Sequence, residues 1–133
     1  MTKCLGARSP RNDEGAQATV EFALVLPLLM ALIWLGVESS VLLRDQVLVT
    51  HGAREAARSS AVGLSPSEAA ESGRARAGLG RDLVIEVVSG ATAGATTVAT
   101  ARLAEGDRLP LVGRLVPGLE VRASVTMRVE GEP

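Results

Sequence analysis

The distribution of hydrophobic and polar residues changes several times along the chain. Residues 1–15 are polar and show no periodicity, whereas the 22 residues 22–43 form an apolar run with one charge, Glu38. A helix rises ~1.5 Å per residue, so a run of this length extends ~33 Å and exceeds the ~30 Å of a hydrocarbon core. The pattern predicts a transmembrane helix, which we assign to 16–43.

A cleavable secretory signal is the competing interpretation of this run. Such a signal has an apolar core of roughly 7–15 residues after a short basic region. Here the polar leader and the apolar run are both longer, and no A-x-A site ends the run, so we expect a retained anchor. Basic residues do not set its orientation by the positive-inside rule, because equal numbers flank it: Lys3, Arg8 and Arg11 before, Arg44, Arg54 and Arg58 after.

Residues 44–62 predict an amphipathic continuation of the same helix. They contain no proline, and apolar positions recur at helical spacing opposite a charged side. The apolar stripe changes from large to small side chains, which allows another backbone to approach closely. Gly63 predicts the end of the helix. The small residues of the stripe are Gly52, Ala53, Ala56, Ala57 and Ser60.

Residues 63–133 predict a small α+β head. The string Ser65-Pro66-Ser67-Glu68 has the spacing of a capping box with proline at the first helical position, and it predicts a short second helix through about Ala77. Beyond residue 81 the period changes to two, in 82–89, 96–104 and 119–130. This predicts a small antiparallel sheet of about three strands, with one buried face that the amphipathic helix covers.

The connections of the head carry turn signals. Residues 90–94 are rich in glycine and 105–107 have the composition of a turn. Residues 109–118, LPLVGRLVPG, form an apolar loop with a proline near each end.

Composition and charge exclude several classes of function. Lys and Arg number 14 against 15 Asp and Glu, for a net charge of −1, so phosphate neutralisation on nucleic acid is not expected. Only 2% of the residues are aromatic, and none lies beyond Trp34, which excludes base-stacking platforms in the head. Cys4, the one cysteine, excludes an intrachain disulfide or a cysteine-clustered zinc site.

The remaining polar residues do not predict catalysis. His51 has no Ser, Asp or second His at a useful spacing and is expected to be solvated near Glu55. The glycines of 73–80 lack the lysine and the preceding strand of a phosphate-binding loop. We therefore expect no enzyme, no catalytic or metal site, no cofactor and no small-molecule substrate.

The apolar run carries a family resemblance. The string ATVEFALVLPLLMALIWLGVE, which starts at Ala18, resembles the N-terminal segment of TadE-like pilus assembly proteins, minor pseudopilins of the tight-adherence type IV pilus machinery. The specific part is VEFALVLP. AREAARSSAV resembles the juxtamembrane helix of that family, and 109–118 and ASVTMRVE resemble it weakly.

The resemblance implies a single-pass protein of the inner membrane, with its N-terminus in the cytoplasm and its head outside. It also implies that a prepilin peptidase removes the leader after a small residue, leaving a glutamate at the fifth mature position. A cut after Gly15 makes Glu21 the sixth mature residue, whereas a cut after Ala16 makes it the fifth but places alanine before the bond. The junction is assigned to Gly15 and Ala16, and both bonds, as well as an uncut chain, stay open.

Three further residues receive roles in this picture. Glu21 would pair with the new N-terminal ammonium of a neighbouring subunit and set the register of assembly, and the alternative is a carboxylate favoured by the helix N-terminus. Pro27 removes an amide from the helix and predicts a bend. Glu38 is expected at the outer membrane interface in contact with water, with an arginine of a partner subunit as the alternative.

The sequence as a whole predicts four segments: a cleaved leader (1–15), a membrane span (16–43), an amphipathic continuation (44–62) and an extracytoplasmic head (63–133). The expected function is that of a minor pseudopilin in assembly of a tight-adherence pilus or secretion apparatus. The expected partners are the lipid bilayer, the prepilin peptidase, other pilin-like subunits and the pilus assembly platform. The alternative is a signal-anchored binding module of the cell envelope that does not join a pilus.

Overall fold

The structure, a computed structural model, describes residues 11–90, 92, 94–105 and 109–129. Most of the predicted leader, including Cys4, lies outside them, as do parts of both predicted turns. The elements in chain order are α1 (Arg11–Ala61), α2 (Pro66–Ala77), a 3-10 turn (Gly80–Asp82), β1 (Leu83–Ser89), β2 (Thr96–Ala104), α3 (Val112–Leu115) and β3 (Glu120–Arg128). They confirm the expected α+β class: a long N-terminal apolar helix, a short second helix and a three-stranded antiparallel sheet.

Helix α1 is 51 residues long and continues through Pro27. The described residues of the predicted leader, 11–15, are part of this helix. Among the described residues, α1 is the one helix long and apolar enough to cross a membrane. The chain divides after Gly36 into two compact units, and the division falls within α1. The second unit begins at Val37 and includes the later part of α1 together with the predicted head, 63–133. From here on, the head means this whole second unit.

Helix α2 starts where the capping-box pattern predicts. The N-cap residue Ser65 has extended backbone, its hydroxyl accepts from the amide of Glu68 at 3.4 Å, and its own amide donates to the Glu68 carboxylate at 3.1 Å. At the other end Gly78 is left-handed, and its N–H donates to the carbonyl of Arg74. These bonds satisfy backbone groups that a helix leaves unpaired at its ends.

The sheet has the order β1-β2-β3, and both pairs of strands are antiparallel. Ala101 in the central strand lies opposite Ile85 of β1 and Ala123 of β3, so all three side chains share one face. This face is the buried one, and β2 contributes to it Thr97, Ala99, Ala101 and Leu103. The alternation read from the sequence thus places the core on one side of the sheet.

The core of the head forms between this sheet face, α2 and the later part of α1. The two helices approach each other closely at Gly52 and Gly73. A β-carbon on Gly73 would lie 2.6 Å from the carbonyl oxygen of Gly52, and one on Gly52 would lie 3.0 Å from the carbonyl oxygen of Gly73. Glycine is therefore required at this crossing, because any side chain would push the helices apart.

Candidate functional site

The predicted processing junction and the register residue lie on exposed helix. Gly15, Ala16 and Glu21 are all exposed in α1. The Gln17 side-chain amide donates to Oε1 of Glu21 at 3.1 Å, one turn earlier on the same helix. This local bond holds the carboxylate beside the predicted junction, and its pairing with an N-terminal ammonium stays a prediction.

The first unit presents large apolar side chains on every side of the helix. Exposed residues at consecutive positions cannot form a single stripe, and a helix that is apolar all round needs an apolar surrounding. Examples of these exposed side chains are Phe22, Leu24, Val25, Leu28, Ile33 and Trp34. The surrounding that fits them is lipid or other apolar helices.

Pro27 lies in the middle of this exposed segment. Helix α1 is assigned without interruption across it. Proline leaves the carbonyl of Ala23 without the intrahelical amide it would otherwise accept from. The predicted bend stays a prediction.

The small residues predicted to pack helices do so inside the head. Ala53, Ala56 and Ala57 are fully buried, and Gly52 and Ser60 are also buried. The Thr97 hydroxyl on β2 donates to the Ser60 hydroxyl at 3.0 Å, which ties the end of α1 to the sheet. This stripe therefore packs inside its own chain, against α2 and the sheet.

Glu38 is the residue whose sequence interpretation changes most. It was expected at a wet membrane interface, but only 4% of it is exposed. Its Oε1 accepts from the amide of Leu111 at 3.0 Å, and its Oε2 accepts from the amide of Val112 at 2.7 Å. The carboxylate therefore caps α3, because the first amides of a helix have no acceptor within it.

The apolar loop, residues 109–118, is more ordered than the sequence indicates, and the short α3 within it was not predicted. Amides of Gly113, Leu115 and Val116 donate to carbonyls four residues earlier, at 2.8–3.2 Å. The Glu105 amide donates to the Leu119 carbonyl at 2.9 Å and closes the base of the loop. Leu109 is buried, whereas Leu111, Leu115 and Val116 are exposed.

The outer face of the sheet is hydrophilic at its centre. Arg102 on β2 lies 3.6 Å from the Glu86 carboxylate on β1 and 3.9 Å from that of Glu120 on β3. All three side chains are more than a third exposed, so these ion pairs contribute little to stability. The face has the composition of a solvated surface, with Val84 and Val88 as exposed apolar residues at one edge.

The residues considered as catalytic or ligand-binding groups do not form a common site in the described part of the chain. His51 is exposed on α1, and Gly73 from the glycine-containing stretch is used in the helix crossing. Within the described ranges, no group of three or more His, Cys, Asp or Glu side chains could hold a metal ion. The features that stand out are physical ones: an exposed apolar helix, and an exposed apolar loop tied to Glu38.

Comparison with known proteins gives one match. The family model described as TadE-like protein matches residues 16–58, about a third of the chain, and confirms the resemblance seen in the apolar run and in the α1 residues that follow it. No curated protein and no solved structure matches the chain. The matched region contains the whole apolar run, 22–43, and most of the α1 residues that form the core of the head.

Proposed function

We propose that the chain is a membrane-anchored minor pseudopilin that takes part in assembling a tight-adherence type pilus or secretion apparatus. The observation that carries this proposal is the match of residues 16–58 to TadE-like proteins, a family associated with this pilus. In this proposal the protein acts as a structural subunit. Its apolar helix anchors it in the membrane, and the same helix carries the head.

The boundary between the two units supports a membrane span that ends earlier than the apolar pattern predicts. Glu38 is buried in the head by its bonds to α3, so we take the second unit, which begins at Val37, to lie outside the hydrocarbon core. Residues 16–36 remain, and 21 helical residues extend ~31 Å, which matches the ~30 Å hydrocarbon core. We place the end of the span near Gly36, seven residues earlier than the apolar pattern alone indicates.

The proposed topology has the N-terminus in the cytoplasm and the head outside the inner membrane. The prepilin peptidase cuts at Gly15 or Ala16, which are exposed and lie before the apolar residues. The new ammonium is then one to two helical turns from Glu21. In an assembly, the pairing of this ammonium with a neighbour's Glu21 sets the axial register of the subunits.

Mass spectrometry of the mature N-terminus tests the proposal. We expect a chain that begins at Ala16 or Gln17 in cells with the prepilin peptidase, and a chain that retains the leader in cells without it. Gly15→Leu blocks processing if the first bond is cut, and Ala16→Leu blocks it if the second is cut, because a bulky side chain replaces the small one before the bond. Ala18→Leu, beyond both bonds, is the matched control and is expected to be processed normally.

The alternative predicts a different result in the same experiment. A membrane-inserted chain that keeps its leader in the presence of the peptidase, and that does not copurify with pilin-like subunits, contradicts the pseudopilin proposal. It supports instead a signal-anchored binding module of the cell envelope.

A further inference from the structure

Hydrogen bonds of three α1 residues show which part of the head lies beside which part of this helix. Glu38 bonds to Leu111 and Val112 of the apolar loop, Gln46 donates to the carbonyl of Arg122 early in β3 at 3.4 Å, and Ser60 accepts from Thr97. The apolar loop therefore lies beside the first turn of the head, and the Thr97 end of the sheet lies beside its last turns.

This position sets the depth of the loop relative to a membrane that ends near Gly36. Glu38 follows Gly36 by two residues, or ~3 Å of helix rise. The headgroup layer on each side of the hydrocarbon core is ~5–7 Å thick. Groups bonded to Glu38 are thus within the thickness of the headgroup layer.

The loop has the chemistry that this layer favours. Residues 109–118 contain no acidic residue and one basic residue, Arg114, which is exposed. None of the four residues of α3 is buried, and Leu115 is 72% exposed. Apolar side chains beside a cation fit a layer of anionic headgroups above acyl chains.

The exposure of these side chains is a property of a fixed loop. The backbone bonds within α3, the two bonds to Glu38 and the burial of Leu109 hold the loop in place. These bonds hold the backbone from which Leu115 and Val116 project. An apolar surface held outward at this depth needs a covering.

We propose that the apolar loop inserts Leu115 and Val116 into the headgroup region of the same bilayer that α1 spans, with Arg114 at the phosphates. This inference rests on the proposed membrane anchorage. The loop gives the head a second attachment to the membrane and fixes its tilt relative to the bilayer surface.

Site-specific fluorescence tests the proposal on the full chain. The Cys4→Ser protein is reconstituted at low protein density in vesicles of phosphatidylcholine and phosphatidylglycerol, with an environment-sensitive fluorophore at Leu115→Cys, Val88→Cys or Leu28→Cys. Val88 is the matched control, because it is 71% exposed, like Leu115, but lies on the outer face of the sheet. A lipid with a nitroxide near its headgroup and aqueous iodide serve as quenchers.

We expect the lipid nitroxide to quench the fluorophore at residue 115 at least about threefold more strongly than the fluorophore at residue 88. If position 115 is quenched only by iodide while position 28 is inaccessible to iodide and lies in lipid, the loop proposal is wrong and the anchor stands. If position 28 is quenched by iodide as well, the anchorage and the proposed function both fail. Protection of position 115 from both quenchers means that protein covers the loop, and this also overturns the inference.

Discussion

Oε2 of Glu38 accepts the backbone amide hydrogen of Val112 at 2.7 Å, across 74 positions of the sequence. Together with the bond from Leu111 to Oε1, it places a buried carboxylate at the start of α3. A carboxylate in this position satisfies orphan amides and interacts favourably with the helix dipole. One side chain of α1 thereby fixes the apolar loop to this helix.

We expect Glu38→Ala to lower the free energy of unfolding of the head by about 2–3 kcal/mol, because hydrogen bonds to a charged acceptor are lost and two amides are left without it. Amide exchange at Leu111 and Val112 is expected to accelerate in the full chain in detergent micelles. Glu71→Ala is the control, because Glu71 is an exposed carboxylate on α2, and its effect should stay within about 0.5 kcal/mol. Equal effects of the two variants would contradict a capping role for Glu38.

The glycine crossing predicts a loss of stability in a substitution that usually favours helices. In Gly73→Ala the new methyl group would lie 2.6 Å from the Gly52 carbonyl oxygen and 2.9 Å from Ala56 and Ile85. Overpacking costs about 1–3 kcal/mol and opposes a propensity gain of up to about 1 kcal/mol. Chemical denaturation is expected to show a net loss. Gly36→Ala, where a β-carbon meets nothing within 4 Å, should not reduce stability, and a similar loss there would refute the steric explanation.

The capping box of α2 predicts a pH dependence. Hydrogen bonds from the Ser65 hydroxyl and then from its amide lower the pKa of Glu68 below the usual glutamate value. The folded pKa is depressed, so the box stabilises the head at pH values above the unfolded pKa of about 4.3, and this contribution is lost as the pH falls through the folded pKa. NMR titration of the Glu68 carboxylate measures the shift.

The same titration has a matched pair of serine variants. Ser65→Ala should raise the pKa of Glu68 towards its usual value, because it removes the largest cause of the shift. Ser67→Ala should not, since the Ser67 hydroxyl contacts the Ser65 hydroxyl at 3.2 Å and the pKa shift comes from the bonds of Ser65 to the carboxylate. An unchanged Glu68 pKa in Ser65→Ala would show that the hydroxyl does not cause the shift.

The register role proposed for Glu21 predicts a separation of insertion from assembly. Glu21→Ala should leave the membrane-bound fraction unchanged, because the apolar run is intact, but should reduce copurification with pilin-like subunits about tenfold or more, as expected for a desolvated charge pair worth at least ~1.4 kcal/mol. Gln17→Ala removes the local partner of the carboxylate and keeps its charge, so it should assemble normally. Normal copurification of Glu21→Ala would remove the register role.

Local patterns were enough to predict α2 and the three strands of the head. Ser65, Pro66 and Glu68 specify the start of α2 within four residues of sequence, and Gly78 specifies its end. The alternation in 119–130 predicted β3, observed as Glu120–Arg128, because a half-buried strand repeats every two residues. Each of these signals depends on neighbours in the chain, which is why the sequence alone contains it.

The parts that were missed depend on contacts between distant residues. Glu38 lies near the end of the apolar run, and this place in the sequence is compatible with a water-exposed interface as well as with a buried cap. Only the positions of Leu111 and Val112 distinguish the two. Helix α3 has four residues and too short a pattern to be recognised. The small stripe of α1 predicted close packing, but its partners, α2 and the sheet, become identifiable only when Gly73 and Thr97 are placed beside it.

The continuity of α1 has a mechanical consequence. The segment proposed to sit in the membrane and the segment that carries Val49, Ala53 and Ala57 are one hydrogen-bonded helix, with no intervening loop between Arg11 and Ala61. A pull on the proposed anchor is therefore transmitted through the backbone of α1 to the residues of the same helix that are buried in the head. The packing of those residues then helps to resist a force applied at the membrane end of the helix.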